Sequence, residues 1–560
     1  VRDEELLAAA RAWRDEDPDP DTRAEVDALL AGPDLDGLRD RFGARLQFGT
    51  AGLRGPVGAG PNRMNRALVR RATAGVAAWL RDQRTTGPVV VGRDARHGSD
   101  AFAQEAAAVL AGAGFAVRVL PDPGPTPLLA FAVRHLGAAA GIMITASHNP
   151  KQDNGYKLYL ADGAQLVSPT DTEISARIDE VGPLATIPLG RAGIEEVGPE
   201  LLEAYVAGAV GLLRPGSRRE VTITYTAMHG VGARVARRAF EAAGFPTPAE
   251  VAEQVEPDPE FPTVAFPNPE EPGALDRALA KAAEVHADLV IAHDPDADRL
   301  AVAVPIGPDG SWRALTGNEL GWLLADHLVR GGGLGPDDVL VTTVVSSRLL
   351  QRLAEEAGVA YAEALTGFKW VVRAPGPERR LAFGYEEALG YCIDGLVRDK
   401  DGISTGLVAA ELVAGLRAEG RTVQDRLDEL HRRLGVHVTG ARARRLTGSD
   451  WLERVTAAMA ALRADPPKEL AGRAVTGVED LLEGRRFVPA DVLIWELDGG
   501  RAVVRPSGTE AKVKSYAEAV EPVPEDSDLA PVRAEARARV DAVLDAVDAL
   551  LGAHLDGPGR

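Results

Sequence analysis

The sequence predicts an α/β protein of several domains with mostly parallel sheets, followed by a smaller α+β domain. Short β-branched runs alternate with alanine-rich helical stretches along most of the 560 residues. That alternation is the pattern of buried strands joined by crossover helices. The length implies three to four domains at roughly 150 residues each. From about Val438 the character changes to one long helix, a strand pair and a terminal helix.

Residues 1–47 read as polar, amphipathic helices with turns at Asp17–Pro20 and Gly32–Pro33. Strands are expected at Val89–Gly92, Ala116–Leu120, Gly141–Thr145, Val221–Tyr225, Leu289–Ala292, Val339–Val345 and Leu381–Tyr385. Helices are expected between them, at Ala101–Ala113, Arg234–Ala243, Ala274–Val285 and Glu319–Val329. Pro- and Gly-rich breaks near Leu212–Ser217 and Gly331–Gly335 suggest seams. The last section should hold a helix at Asp450–Ala464, strands around Val488–Val504 and a helix at Val532–His554. The expected domains are 1–205, 206–316, 317–437 and 438–560.

A net charge of −20 argues against nucleic acid or an anionic membrane as partner, because both need a cationic surface. A small anionic substrate stays compatible with it, since a local cationic cleft can sit inside an acidic envelope. One cysteine, Cys392, excludes an intrachain disulfide and a cysteine-rich metal site. The most apolar stretch, Leu128–Ala146, is interrupted by Arg134 and His135, and Val1–Glu16 is charged throughout. A soluble, cytoplasmic protein, monomer or homodimer, is the expectation. Only eight of 63 basic residues are lysine, and six of those (Lys151, Lys157, Lys369, Lys400, Lys512 and Lys514) lie near unusual loops. Lysine and arginine differ where a compact charge is needed, so this clustering points to an anionic ligand.

In open α/β sheets ligands bind beyond the carboxyl ends of strands. Four loops occupy such places: Thr145-Ala146-Ser147-His148-Asn149-Pro150, Asp294-Pro295-Asp296-Ala297-Asp298-Arg299, Gly384-Tyr385-Glu386-Glu387-Ala388-Leu389-Gly390 and Arg505-Pro506-Ser507-Gly508-Thr509-Glu510. Three aspartates at alternate positions offer hard oxygen ligands to Mg²⁺. A calcium EF-hand is excluded, because Arg299 and Pro305 stand where it needs Gly and Glu. An aspartyl-phosphate phosphatase with Asp294 as nucleophile is the sharper rival, but Asp298 stands where that pattern carries Thr or Val. Ser147 in extended chain would point away from His148, which disfavours a serine-protease pairing. A phosphorylatable serine beside a metal fits better. Arg505, Ser507 and Thr509, with Gly508 keeping the backbone bare, form a plausible phosphate nest. Glu386 and Glu387 suit sugar hydroxyls.

Together these loops resemble the α-D-phosphohexomutase superfamily, which includes phosphoglucomutases and phosphomannomutases. Phe48-Gly49-Thr50-Ala51-Gly52-Leu53-Arg54-Gly55 and Ala227-Met228-His229-Gly230-Val231-Gly232 extend the match in order over most of the chain. The resemblance implies three related α/β domains and a C-terminal α+β domain like the TATA-binding-protein fold, around a central cleft. It implies that Ser147 is the phosphoserine and that Asp294, Asp296 and Asp298, with Ser147, hold Mg²⁺. Arg54, Lys157, Arg299 and His148 would lie near the transferring phosphate. Thr366, Gly367 and Lys369, with Glu386 and Glu387, look like sugar loops, and Arg505, Ser507, Gly508 and Thr509 match the binder of the other phosphate. The loop chemistry looks closer to the glucose/pentose-phosphate branch.

The implied reaction interconverts hexose 1-phosphate and hexose 6-phosphate through a sugar 1,6-bisphosphate, glucose preferred, with mannose and pentose phosphates as alternatives. Two dianions about 5 Å apart would repel by about 13 kcal/mol at an effective dielectric near 20, so a metal ion and several cations are required together. Lys157 is the first candidate for general base, its pKa lowered by burial or neighbouring cations, ahead of His148 and His229. Outside this class, the rivals are the phosphatase and a non-catalytic sugar-phosphate-binding protein.

Overall fold

Val89, Val90 and Val91 have no exposed surface, and burial on both faces is what places this run inside a sheet. The computed structural model describes residues 2–32, 34–307, 310–448, 450–507, 511–525 and 527–555. Two compact units contain them: Val1–Leu315 with Ala388–Glu419, and Thr316–Glu387 with Gly420–Arg560.

The first unit begins with three helices, Asp3–Glu16, Pro20–Ala31 and Leu35–Phe42. Their apolar stripes meet in a small core of Leu6, Ala10, Val26, Leu38 and Phe42. Asp19 and Asp34 start the second and third by accepting the backbone N–H groups of Asp21 and Gly37. A six-stranded sheet follows, in the order Leu53–Pro56, Asp153–Leu160, Ala140–Ile144, Val89–Arg93, Val117–Val119, Ile194–Glu196. The last four strands are parallel and the first two antiparallel. A second sheet has the order Trp312–Ala314, Ala301–Pro305, Leu289–Ala292, Ile223–Thr226, Ala249–Glu250. It too is parallel on one side and antiparallel on the other.

The antiparallel strands change how the loops are built. Ala140–Ile144 turns through the serine loop straight into Asp153–Leu160, with Ile144 paired to Tyr156. Leu289–Ala292 turns through the aspartate loop into Ala301–Pro305, with Ala292 paired to Ala301. Both are therefore strand-to-strand connections, pinned at each end by a ladder, and the second strand of each was not among those expected. The strand Asp153–Leu160 escaped the sequence reading because its motif-like start masks six consecutive buried residues, Asn154–Tyr159.

In the second unit Ala360–Ala364, Asp338–Thr343 and Arg380–Glu386 form a parallel sheet in that order. A six-stranded antiparallel sheet follows, ordered Val436–Arg445, Lys512–Glu521, Gly500–Pro506, Leu493–Leu497, Arg473–Asp480, Glu469–Leu470. The helices Trp451–Ala464 and Leu529–Leu555 share its core, the latter through Ala536, Val540, Val543, Val547 and Leu551. This is the α+β domain expected. Val436–Arg445 was missed because its apolar positions are interleaved with Arg442 and Arg444, which pair with Asp545 and Asp548 of the terminal helix.

Within the second unit, Arg426 Nε donates to Asp326 Oδ2 at 2.7 Å, and both side chains are buried. Removing one member leaves the other charge uncompensated. Arg426→Ala is expected to destabilise this unit by about 3–5 kcal/mol in urea unfolding. A midpoint equal to wild type would refute that assignment.

Candidate active site

Ser147 is buried and adopts a left-handed backbone, φ +52°, with its N–H donating to Thr145 Oγ1 at 2.9 Å. The chain here is a tight turn and not extended. Consequently Ser147 Oγ lies 3.2 Å from His148 Nδ1, a proximity that the extended-chain argument had disfavoured. The serine is nevertheless not aimed at a protease-type relay. Its hydroxyl donates to Asp294 Oδ2 at 2.8 Å.

Asp294, Asp296 and Asp298 have no exposed surface and place a carboxylate oxygen each within 4.8 Å of one another. At that separation a pair repels by at least about 3.5 kcal/mol at an effective dielectric of 20. Burial, then Asp296 and Asp298, push Asp294 well above the usual carboxylate range. Asp296 Oδ1 and Asp298 Oδ1 are buried without a hydrogen-bond partner. Orphaned anionic oxygens in a hard-donor cluster are what a divalent cation would satisfy, so the residues fit one. The aspartate loop is held from outside by Thr126, whose N–H donates to the Asp296 carbonyl at 2.9 Å and whose Oγ1 donates to Asp296 Oδ2 at 2.6 Å. The Met228–His229–Gly230 turn supports its other side. The Val231 N–H donates to the Pro295 carbonyl, and a Cβ on Gly230 would lie 2.4 Å from Pro295 Cα, so only glycine fits.

The cations converge as the motifs suggested. Lys157, on the buried strand Asp153–Leu160, donates to Asp296 Oδ2 at 2.7 Å and Asp298 Oδ2 at 3.1 Å. Burial opposes its charge, but the two aspartates outweigh burial and raise its pKa. The expectation of a lowered pKa is therefore corrected for this arrangement: the carboxylates dominate. Lys400 Nζ lies 3.2 Å from Asp298 Oδ2. Against burial, Lys157, Lys400 and Arg299 hold Asp298 far below the ordinary carboxylate range. Arg54 reaches Asn149 Oδ1 at 3.2 Å, and the Arg299 N–H donates to Asp294 Oδ1 at 3.0 Å. Burial, then Arg299 and Arg54, keep His148 well below the usual imidazole value. Gly52, φ +77°, lets the Phe48–Gly55 loop touch the neighbouring strand, where a Cβ would lie 1.8 Å from the Tyr156 carbonyl.

The second unit gathers the other predicted residues. Glu386 Oε1 accepts the Gly367 N–H at 2.7 Å, joining Thr366-Gly367 to the double-glutamate loop; Lys369, read as loop, lies in the short helix Phe368–Val371 that Gly367 caps. Glu387 accepts from Ser346 Oγ at 3.2 Å. Burial, then Glu386, push its pKa up to about 6. Tyr516 lies where Arg505 and both glutamates act on its hydroxyl, so the phosphate loop and the sugar loop share one neighbourhood. The Ser507 N–H donates to the Lys512 carbonyl at 2.9 Å. Gly508 and Thr509 lie outside the described residues. Of the residues assigned to the loop, Gly384, Tyr385 and Glu386 belong to the strand Arg380–Glu386, close to the expected Leu381–Tyr385.

Sequence reasoning missed Thr126 and Arg96. Arg96 follows the strand Val89–Arg93, so the carboxyl-end rule that found the other loops would have found it. Thr126 opens the helix Thr126–His135, and a threonine before Pro127 at a helix start has no chemical signature of its own.

Comparison with known proteins gives a consistent picture. The chain matches Phosphoglucomutase/phosphomannomutase alpha/beta/alpha domain I over residues 45–183, domain II over 203–307, domain III over 316–434 and the C-terminal domain over 453–543. A "Probable phosphomannomutase" of Haemophilus influenzae is 42% identical over 83% of this chain and 95% of its own length. A phosphopentomutase of Mus musculus is 35% identical, covering 92% and 90%. A phosphoglucomutase of Staphylococcus aureus is 34% identical, covering 85% and 90%. Among solved structures, a putative phosphomannomutase from Thermus thermophilus superposes with a TM-score of 0.69 at 28% identity, covering 91% of this chain and 99% of that one.

Calorimetric titration with Mg²⁺ checks the cation reading. Wild type should bind one ion, and Asp296→Asn should bind at least about tenfold more weakly, the least expected when even an outer-shell partner costs that much. Equal affinity in both proteins would remove Asp296 from the ligand set.

Proposed function

The chain belongs to the phosphoglucomutase/phosphomannomutase family and is a phosphosugar mutase; from that premise we propose that it interconverts glucose 1-phosphate and glucose 6-phosphate through phosphorylated Ser147. The observation that carries the mechanism is the buried cluster itself, with Ser147 Oγ 2.8 Å from Asp294 and Lys157 2.7 Å from Asp296. Phospho-Ser147 gives its phosphoryl group to the free hydroxyl of a sugar monophosphate. The bond from phosphorus to Ser147 Oγ breaks, a bond to the sugar oxygen forms, and the hydroxyl proton passes to a base. The bound sugar 1,6-bisphosphate turns around, and Ser147 takes the other phosphoryl group by the reverse exchange.

Asp294, Asp296 and Asp298 would hold Mg²⁺, which supplies charge stabilisation to the transferring phosphoryl group. Arg54, at Asn149 of the serine loop, and Arg299, at the end of the aspartate loop, reinforce that positive field. Lys157 is the first candidate for base, with His148 second. For Lys157 to take a proton, the grip of Asp296 and Asp298 must be weakened, because that grip is what raises its pKa. Glu386, Glu387, Thr366, Gly367 and Lys369 would read the sugar, and Arg505, Ser507, Gly508 and Thr509 the other phosphate. The division of labour follows 1–205 for the phosphoserine, 206–316 for the metal, 317–437 for the sugar and 438–560 for the distal phosphate. A mannose preference is the second reading, favoured by the name of the 42%-identical relative.

Incubation with a sugar bisphosphate followed by intact-mass analysis should show an acid-stable phosphate on Ser147. An acid-labile acyl phosphate on Asp294 would establish the phosphatase instead, and undiminished turnover by Ser147→Ala would sink the mechanism.

The raised Glu387 pKa has a readable consequence. Glu387 accepts sugar hydroxyls best when ionised, so kcat/KM should fall as pH drops through about 6. The substrate phosphate titrates nearby, so the test is the difference between wild type and Glu387→Gln: the variant should lose about tenfold at pH 8 and much less at pH 5. Parallel profiles would take Glu387 out of substrate binding.

For the sugar itself, kcat/KM should be highest with glucose 1-phosphate, with mannose 1-phosphate lower by about ten- to a hundredfold, the value of one unpaired hydroxyl contact. Preference for mannose, ribose or deoxyribose 1-phosphate would overturn the glucose assignment and leave the mutase reaction standing.

A further inference from the structure

The serine loop is held by a side chain that no catalytic motif contains. Arg96 is 4% exposed, and its guanidinium donates to four backbone carbonyls of one loop. Nη2 reaches Ser147 O at 2.5 Å and Asn149 O at 2.7 Å, while Nη1 reaches Pro150 O at 2.8 Å and Asp153 O at 3.2 Å. Asp94 orients it, accepting the Arg96 N–H at 2.9 Å and lying 3.4 Å from Arg96 Nε. Ser99 Oγ in turn holds Asp94 at 2.6 Å. On the open face the guanidinium lies over the Phe261 ring, 5.0 Å from its centroid.

Phe261 is itself buried and strained, with φ +47°. Its N–H donates to Asp258 O, and the Asp258 N–H donates to His229 O. His229 belongs to the turn that supports Pro295 of the aspartate loop. A continuous set of contacts thus runs from the aspartate loop through His229, Asp258 and Phe261 to Arg96 and the serine loop. The left-handed conformation of Ser147 costs energy that surrounding contacts must repay. Carbonyls that accept from one rigid guanidinium fork cannot rotate independently, and a lysine, with a single point of attachment, could not serve four of them.

We infer that Arg96, clamped by Asp94 and Phe261, is a positioning residue that sets the orientation of Ser147 for phosphoryl transfer and ties it to the aspartate loop. The inference rests on the reading of Ser147 as the phosphorylated residue. Arg96 holds backbone carbonyls, while the Ser147 hydroxyl faces Asp294 and His148. Arg96 should therefore act on the rate of transfer and not on sugar binding.

The test is rapid-quench measurement of phosphate transfer from phospho-Ser147 to glucose 1-phosphate, with KM and thermal melting recorded on the same proteins. Arg96→Lys should slow transfer about a hundredfold, the scale of a 1 Å misplacement, with KM unchanged. Phe261→Leu, which keeps the core filled, should slow it about tenfold in the same pattern, and it decides the matter if Arg96→Lys does not fold. Transfer at the wild-type rate, or a rate loss explained wholly by unfolded protein, overturns the inference while leaving the mutase reading intact. Wild-type protein that takes no phosphate on Ser147 overturns the mutase reading, and this inference with it.

Discussion

Crowded negative charge is the constraint on which the rest of the first unit depends. Three aspartates converge with no exposure, beside a serine hydroxyl that already donates to one of them. Adding a phosphate to that place multiplies the repulsion, and neither a single arginine nor a flexible surface loop could contain it. The fold answers with ammonium groups from two separate segments, the buried Lys157 on a sheet strand and the half-buried Lys400 on the returning chain. Lysine is rare in this sequence, and here it is used where a compact charge must fit between carboxylates.

Rigidity comes from the way the loops are connected. A strand-to-helix turn is fixed at one end by a ladder and at the other by a helix start. The serine and aspartate loops are fixed by ladders at both ends, through the antiparallel partners Asp153–Leu160 and Ala301–Pro305. The same partner strand carries Lys157, so one ladder sets both the turn and the cation that faces the aspartates. The positive-φ residues Ser147 and Ala297 sit inside these doubly anchored loops, where strain is sustained by surrounding contacts.

Much of this was legible in the sequence because it rests on local patterns. The strands Leu289–Ala292 and Val89–Arg93 are short, β-branched and buried on both faces, and alternating aspartates declare oxygen-ligand chemistry by spacing alone. Elements that depend on distant partners were not legible. Val436–Arg445 carries half-buried arginines whose partners, Asp545 and Asp548, lie about a hundred residues away in the chain. The proximity of Ser147 to His148 needed a backbone φ that no composition reveals. The raised pKa of Lys157 was inaccessible for a related reason. The sequence supplies the burial that would lower it, but the two distances that reverse the sign are tertiary.

The neighbouring carboxylate Asp399 shows why the aspartate cluster is built differently from ordinary buried charge. Asp399 is just as enclosed, yet Oδ2 accepts from Tyr159 at 2.7 Å and Gln165 at 2.8 Å while Oδ1 lies 3.2 Å from Lys400. Each of its oxygens therefore has a donor, which is how a structural carboxylate survives burial. Asp296 and Asp298 each engage one oxygen with lysine and leave the other, Oδ1, without a hydrogen. Chemically similar surroundings supplied donors a few ångströms away, so the omission is not for lack of polar groups. Unlike Asp399, the pair keeps its capacity for a hard cation, and the lysines hold its charge without filling that capacity.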